Sequence, residues 1–265
     1  MIGSETTDLA RAIPMTTRSA GLVQLRTTMI AMNEQLAALT DIDFGRETDC
    51  TGWRVRDIVA HMTASAEEMK WPWGFPVRIF RGHRRYPNMA ELDARNQIQI
   101  DDLSAFDNAP LVTHYRERQP SALTGVRLMP ALLRKAKVPS GLPGVPKIVI
   151  AYLFDVICTR DVWMHAIDIE QATGKPRVVG PYDEAIIDQI IRDLGVEWTG
   201  PTIELQLTGA SSKPWKLGTG QVTATATADA IEFCRLLAGR PGRPPELLSG
   251  DDDALQQLHA ARVLF

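Results

Sequence analysis

Asp161, His165 and Asp168 stand four and then three residues apart in the run Arg160-Asp161-Val162-Trp163-Met164-His165-Ala166-Ile167-Asp168. In an α-helix that spacing stacks two carboxylates and an imidazole on one face, a turn apart. A carboxylate and an imidazole so placed form a two-pronged site for a divalent cation that lacks only a third side chain, and His61 is the candidate for it. Three protein ligands and an open position are the arrangement of catalytic sites, and mixed nitrogen and oxygen ligation suits zinc without excluding iron, manganese, nickel or cobalt. Water or a thiol in the open position would lose its proton near neutral pH and become a nucleophile. The same residues also fit a hydrogen-bonded core histidine and a helical pair placed by chance, so spacing alone leaves both readings open. Asp168 fits best as the partner that orients a ligating imidazole from behind. Cys158, a turn before Asp161, reads as core filling, and His83, His114 and His259 as surface or structural residues.

The elements that must position these groups are legible from periodicity. Apolar residues at helical spacing (Leu22, Leu25, Met29, Met32, Leu36, Leu39) predict a first helix over residues 18–39, closed by the break Asp41-Ile42-Asp43-Phe44-Gly45. A second helix, residues 53–69, carries His61 on its second turn and Asp57 near its N-terminus, where a negative charge suits the helix dipole. Residues 71–87, with Pro72, Gly74, Pro76 and Gly82, read as a loop or short helix, and the arginines Arg78, Arg81, Arg84 and Arg85 as a solvated cluster able to draw an anionic substrate or lipid headgroups. A polar helix near 89–102 and a longer one near 110–137, interrupted by Pro120 and Pro130, come next. A turn-rich connector, Pro139 to Pro146, then launches the helix of residues 147–173 that bears Asp161 and His165 and stops at Gly174 and Pro176. Together these predict a mainly α four-helix bundle over residues 1–177. Residues 178–265 predict a small α+β domain: a helix at 183–194, antiparallel strands near 202–208, 215–217 and 222–226, and helices at 228–237 and 252–260.

Composition sets the outer limits. With 265 residues, 45% hydrophobic, 23% charged and a formal net charge of −3, the chain has the make-up of an ordinary globular protein, and no nucleic-acid or polyanion partner is implied. Cys50, Cys158 and Cys234 are odd in number and far apart, which argues against a disulfide framework and for a reducing compartment. Residues 1–14 carry acids and no apolar segment, and the longest apolar run, 148–154, is far short of the roughly 20 residues that span a bilayer, so a cytoplasmic protein is expected. No glycine-rich phosphate loop, GxSxG or CxxC motif is present.

The segment Gly52-Trp53-Arg54-Val55-Arg56-Asp57-Ile58-Val59-Ala60-His61-Met62 resembles the W-x-V-x-D-x-x-x-H lead-in to the second helix of the mycothiol-dependent maleylpyruvate isomerase family, a branch of the DinB-like metal-binding bundles. Residues 161–169 are similar to that family's second metal motif. Leu237-Ala238-Gly239-Arg240 and Leu248-Ser249-Gly250-Asp251 are similar to its C-terminal domain, which has a sterol-carrier-like α+β fold. The resemblance implies that His61, Asp161 and His165 ligate a divalent metal, zinc by preference, with Asp168 behind them. It implies that mycothiol is the thiol cosubstrate, and that Arg240 faces the interdomain cleft and holds a substrate carboxylate. The enzyme would then be a metal-dependent isomerase or transferase in which a metal-bound thiolate attacks an electrophilic small molecule. Asp161 stands where the isomerase carries glutamate, one methylene longer, and Arg54 where relatives place a helix-capping Ser or Thr. Two other functions suit the same sequence: a lipid or acyl-chain carrier built on the C-terminal domain, and a metal-dependent hydrolase with water in the open position. The first predicts a lipid-filled tunnel after Pro181, the second thiol-independent turnover.

Overall fold

The structure is a computed structural model that describes residues 7–71, 73–142, 145–250 and 252–265. Its contacts divide the chain into two units, one of residues 17–178 and one formed by residues 179–265 with the segment up to Thr16.

In the first unit, α1 (Arg18–Ala37) starts where the Thr17 hydroxyl accepts from the Ala20 N–H, and buries Leu25, Met29, Met32 and Leu36 on one face. A short α2 (Asp41–Phe44) follows, its buried Asp43 accepting from the Thr40 N–H at 2.8 Å. The next helix, α3 (Val55–Lys70), begins with the Asp57 carboxylate accepting from the Arg54 N–H at 2.9 Å; the acid three residues in does the capping that the Arg54 side chain cannot. Next come α4 (Gly74–Arg85), α5 (Glu91–Asp102), α6 (Asn108–Leu128) and the single turn α7 (Ala131–Arg134). The connector forms an antiparallel hairpin of β1 (Lys137–Leu142) and β2 (Val145–Val149), so Lys147 lies in a strand and the helical run starts at Ile150, not at Lys147 as the sequence predicts. That run has three parts: α8 (Ile150–Tyr152), a π-helical stretch (Leu153–Ile157) and α9 (Cys158–Thr173), which ends at Gly174 with φ +69°.

Helices α1, α3, α6 and α9 form the bundle around a core that includes Leu25, Met29, Met62, Leu111, Tyr115 and Val162. Two glycines set its closest approaches. A Cβ on Gly125 of α6 would lie 2.3 Å from the Met69 carbonyl oxygen on α3, and one on Gly21 of α1 would lie 2.5 Å from the Asp155 carbonyl oxygen in the π-helical stretch.

The second unit carries α10 (Tyr182–Glu197), then β3 (Ile203–Thr208), β4 (Pro214–Leu217), β5 (Ala224–Asp229), α11 (Ala230–Leu237), β6 (Glu246–Ser249) and α12 (Asp252–Ala260). The sheet order is β4-β3-β5-β6. Alternate residues of β3 and β5 (Ile203, Leu205, Leu207; Ala224, Ala226, Ala228) are buried, as a sheet with one covered face requires. The sheet is mixed, not antiparallel throughout: β3 and β5 run parallel, because β4 turns back along the outer edge of β3 and leaves β5 only its other side. The segment before Thr16 joins this unit, where the Lys216 N–H donates to the Asp8 carbonyl and Ala10 packs against Gly195 so tightly that no side chain fits there.

Candidate metal centre

Helix α3 carries His61 and α9 carries Asp161 and His165; the structure brings all three together. The Asp161 carboxylate lies between the rings, with Oδ2 3.3 Å from His61 Nε2 and Oδ1 3.4 Å from His165 Nε2. Each imidazole is held from behind at its other nitrogen. Gln99, fully buried on α5, donates its amide to Ser65 Oγ at 3.5 Å, so its Oε1 accepts from His61 Nδ1–H at 2.7 Å. Asp168, also fully buried, accepts from His165 Nδ1–H at 2.9 Å. With both Nδ1 atoms engaged, both Nε2 atoms face the Asp161 carboxylate, and each can offer a lone pair to a metal once it gives up any proton it holds there.

Such a convergence of two imidazole nitrogens and a carboxylate is the arrangement of groups that can hold a metal ion. The donor set fits a divalent ion. Four ligands at about 2.05 Å around a tetrahedral zinc stand roughly 3.3 Å from one another; each Nε2 lies near that distance from one Asp161 oxygen, His61 from Oδ2 and His165 from Oδ1. His61 and His165 are almost wholly buried, while the Asp161 side chain keeps 27% of its exposure, so the approach to the cluster lies on the Asp161 side. Trp53, just ahead of α3, covers the rings: its centroid is 5.1 Å from that of His61 and 5.9 Å from that of His165, nearly parallel to the latter.

The electrostatics couple Asp161 to His165. Burial disfavours charge on both Asp161 and His165, but their mutual attraction and hydrogen bonding outweigh it, holding the Asp161 carboxyl well below the usual carboxylate range and His165 well above the usual imidazole range. A second trio, Cys50, His165 and Asp168, also lies within ligand distance. Hydrogen bonds account for it: Cys50 Sγ donates to Asp168 Oδ2 at 3.2 Å, the oxygen that also accepts from His165. Asp168 thus sits behind the imidazole, as its position three residues on predicts.

The other groups sort as follows. Arg240 lies just past α11 in the second unit, where its Nη1 donates to the Ala238 carbonyl at 3.2 Å. Cys158 packs against the bundle core, and burial pushes its thiol up, away from reactivity. His114 contacts Glu67 at 3.1 Å and stacks on Phe106, His259 lies 3.4 Å from the Pro245 carbonyl, and His83 is exposed. The arginine cluster is not a solvated loop. Arg78 is largely buried and binds Glu67, Glu68 and Asp102, while Arg81 makes two bonds to Asp102. Sequence reasoning passed over Gln99, Trp53 and Cys50 as site residues. Gln99 comes from α5 and Cys50 from the segment ahead of α3, with no spacing that ties either to the histidines, whereas Trp53 is the first residue of the motif that ends at His61.

Residues 25–170 match the family model described as the mycothiol maleylpyruvate isomerase N-terminal domain. Among solved structures, the crystal structure of the mycothiol-dependent maleylpyruvate isomerase is similar with a TM-score of 0.61 over 92% of this chain and 97% of that one, at 18% identity. A histidine-to-alanine mutant of that isomerase is similar with a TM-score of 0.60 and the same coverage, at 17% identity. At such identities the likeness is one of fold. No curated protein matches the sequence.

Proposed function

The chain belongs to the mycothiol maleylpyruvate isomerase N-terminal domain family, and we propose that it is an enzyme of isomerase type that uses mycothiol as cosubstrate, with a divalent metal ion, zinc by its ligand set, held by His61, Asp161 and His165. Its substrate is then an electrophilic small molecule. The observation that carries this reading is the convergence of both Nε2 atoms on the Asp161 carboxylate with both Nδ1 atoms already engaged. Bound there, a divalent ion would bring the pKa of a thiol, ordinarily about 8.5, below neutrality.

The chain's own residues do the rest. Gln99 and Asp168 hold the imidazoles in the tautomer that turns Nε2 inward, and Trp53 keeps water off the ring faces, leaving the Asp161 side as the way in. A thiolate that adds to a conjugated double bond leaves a single bond free to rotate; elimination then restores the alkene in its other geometry and returns the thiol. Isomerisation therefore consumes no thiol, whereas transfer releases the adduct. Arg240 is assigned to a substrate carboxylate on its resemblance alone.

The test is metal stoichiometry and thiol-dependent turnover of an activated alkene in wild type, His61→Ala and His165→Ala. The wild type should hold about one ion per chain and need mycothiol, and both variants should lose ion and turnover together. Unchanged metal content in the variants would sink the ligand assignment. Equal turnover of an ester without thiol would make the protein a hydrolase on the same ligands.

A further inference from the structure

Helix α4 has two unlike faces. The inner one is tied down: a Cβ on Gly82 would lie 2.9 Å from the Ala94 backbone of α5, Phe75 takes the Arg95 guanidinium over its ring at 4.5 Å, and Arg78 reaches Glu67, Glu68 and Asp102. On the side opposite Gly82, helical spacing lines up Trp73, Val77, Phe80 and Arg84. Trp73, Val77 and Phe80 are all more than half exposed, as is Trp71 just ahead of the helix. The apolar surface does not end there. An open groove of about 590 Å³, lined by Met69, Lys70, Leu128 and Leu133 among others, joins the end of α3 to the end of α6 and α7, where Leu128 and Leu132 are largely exposed. So many large apolar side chains on one surface mark a contact site.

Charge says what the contact is with. Residues 69–90 contain no Asp or Glu, and neither do residues 118–154, so both stretches that build this surface carry only basic charges. Lys70, Arg84, Arg127 and Lys135 are exposed and form no ion pair among the described residues. A second copy of the same surface would bring like charges face to face, which argues against self-association. A tryptophan, a valine and a phenylalanine on one stripe, with a second tryptophan just ahead of the helix and long cationic side chains beside them, are the make-up of a helix that lies in a lipid interface, its rings at headgroup level and its cations among anionic headgroups. No helix among the described residues is long and apolar enough to cross a membrane, so the contact is peripheral.

We propose that the surface formed by α4 and the α6–α7 end of the bundle docks the protein reversibly on an anionic lipid bilayer, with Trp73, Val77 and Phe80 entering the interface and Lys70, Arg84 and Arg127 meeting the headgroups. The proposal is independent of the metal centre, and its test reads association and not turnover. The full-length protein is sedimented with vesicles of phosphatidylcholine alone and of phosphatidylcholine mixed with phosphatidylglycerol, while tryptophan emission is recorded. Association with the anionic vesicles only, with a blue-shifted emission that weakens as salt is added, is the expected result. Phe80→Ser should weaken association about tenfold and Arg84→Ser about fivefold; both sites are exposed, and unchanged circular dichroism shows that the variants remain folded. Equal association with both vesicle types, or with neither, would overturn the proposal. So would a concentration-dependent dimer in sedimentation equilibrium that Phe80→Ser dissolves, which would assign the surface to a second copy.

Discussion

Gln99 Oε1 and Asp168 Oδ2 do one job at two imidazoles, each fixing which nitrogen turns toward Asp161, but they differ in charge. The carboxylate makes its imidazole the more basic donor, while the amide only orients. Gln99→Leu keeps the volume and removes the acceptor, leaving His61 Nδ1–H buried and unpaired. Titration against a competing chelator should show metal affinity lower by about 10–100-fold, and Asp168→Ala should fall in the same range. Asp168→Asn, which can still accept from His165, should lose less. A Gln99→Leu protein that holds metal as tightly as wild type would show that this contact does not position the ligand. The uneven legibility of the site follows from where its residues come from. His61, Asp161, His165 and Asp168 stand out in the sequence because helical periodicity, and the resemblance of two segments to known motifs, place them. Gln99 arrives from α5 and Cys50 from the segment ahead of α3, and only tertiary packing relates them to the histidines; Trp53 stands in the motif that leads to His61, but its cover over both rings shows only in the packing.

Among the elements, the α3–α6 contact is the tightest point in the bundle. Gly125→Ala sets two effects against each other: alanine gains about 1 kcal/mol in helix propensity, but its methyl would meet the Met69 carbonyl oxygen at 2.3 Å, a contact between two helix backbones that no rotamer relieves. Overpacking in a well-filled site costs about 1–3 kcal/mol, so the net should be a loss of about 0–2 kcal/mol, toward the upper end because neither backbone can move aside freely. Urea denaturation would read it as a lower midpoint at constant slope, and a raised midpoint would mean that the helices part freely. The same reasoning explains where periodicity misled. In α4, Pro76 and Gly82 look like helix breakers, yet Pro76 falls in the first turn, where the missing N–H has no partner to lose, and Gly82 is small because α5 lies against it. In the connector the prolines and glycines mark a hairpin, which moved the start of the following helical run to Ile150. Of the long helices, α1 was legible because it buries a stripe, whereas α3 and α9 are buried nearly all round and stood out by the spacing of their histidines and acids.

At the scale of the whole molecule, the proposed ligands come from two helices and stand a hundred positions apart, His61 and Asp161, within the unit of residues 17–178. An ion held by all three binds only the folded bundle, so it must stabilise that unit by linkage, whatever chemistry it serves. At a free metal concentration a hundredfold above Kd the gain is about 2.7 kcal/mol, and for a unit of this size each kcal/mol moves the midpoint by about 2–4 °C. Scanning calorimetry of the full chain, stripped with a chelator and then resupplied with zinc, should therefore show the bundle transition rise by roughly 5–10 °C. Two units need not unfold as one, so the thermogram is fitted without assuming a single transition. His61→Ala and His165→Ala should abolish the rise; the stripped midpoint should itself be lower in His165→Ala, which removes a buried partner of both Asp161 and Asp168. A rise that survives in both variants would place the stabilising ion elsewhere, and no rise in wild type would mean that the Asp161 cluster is held together by protons alone.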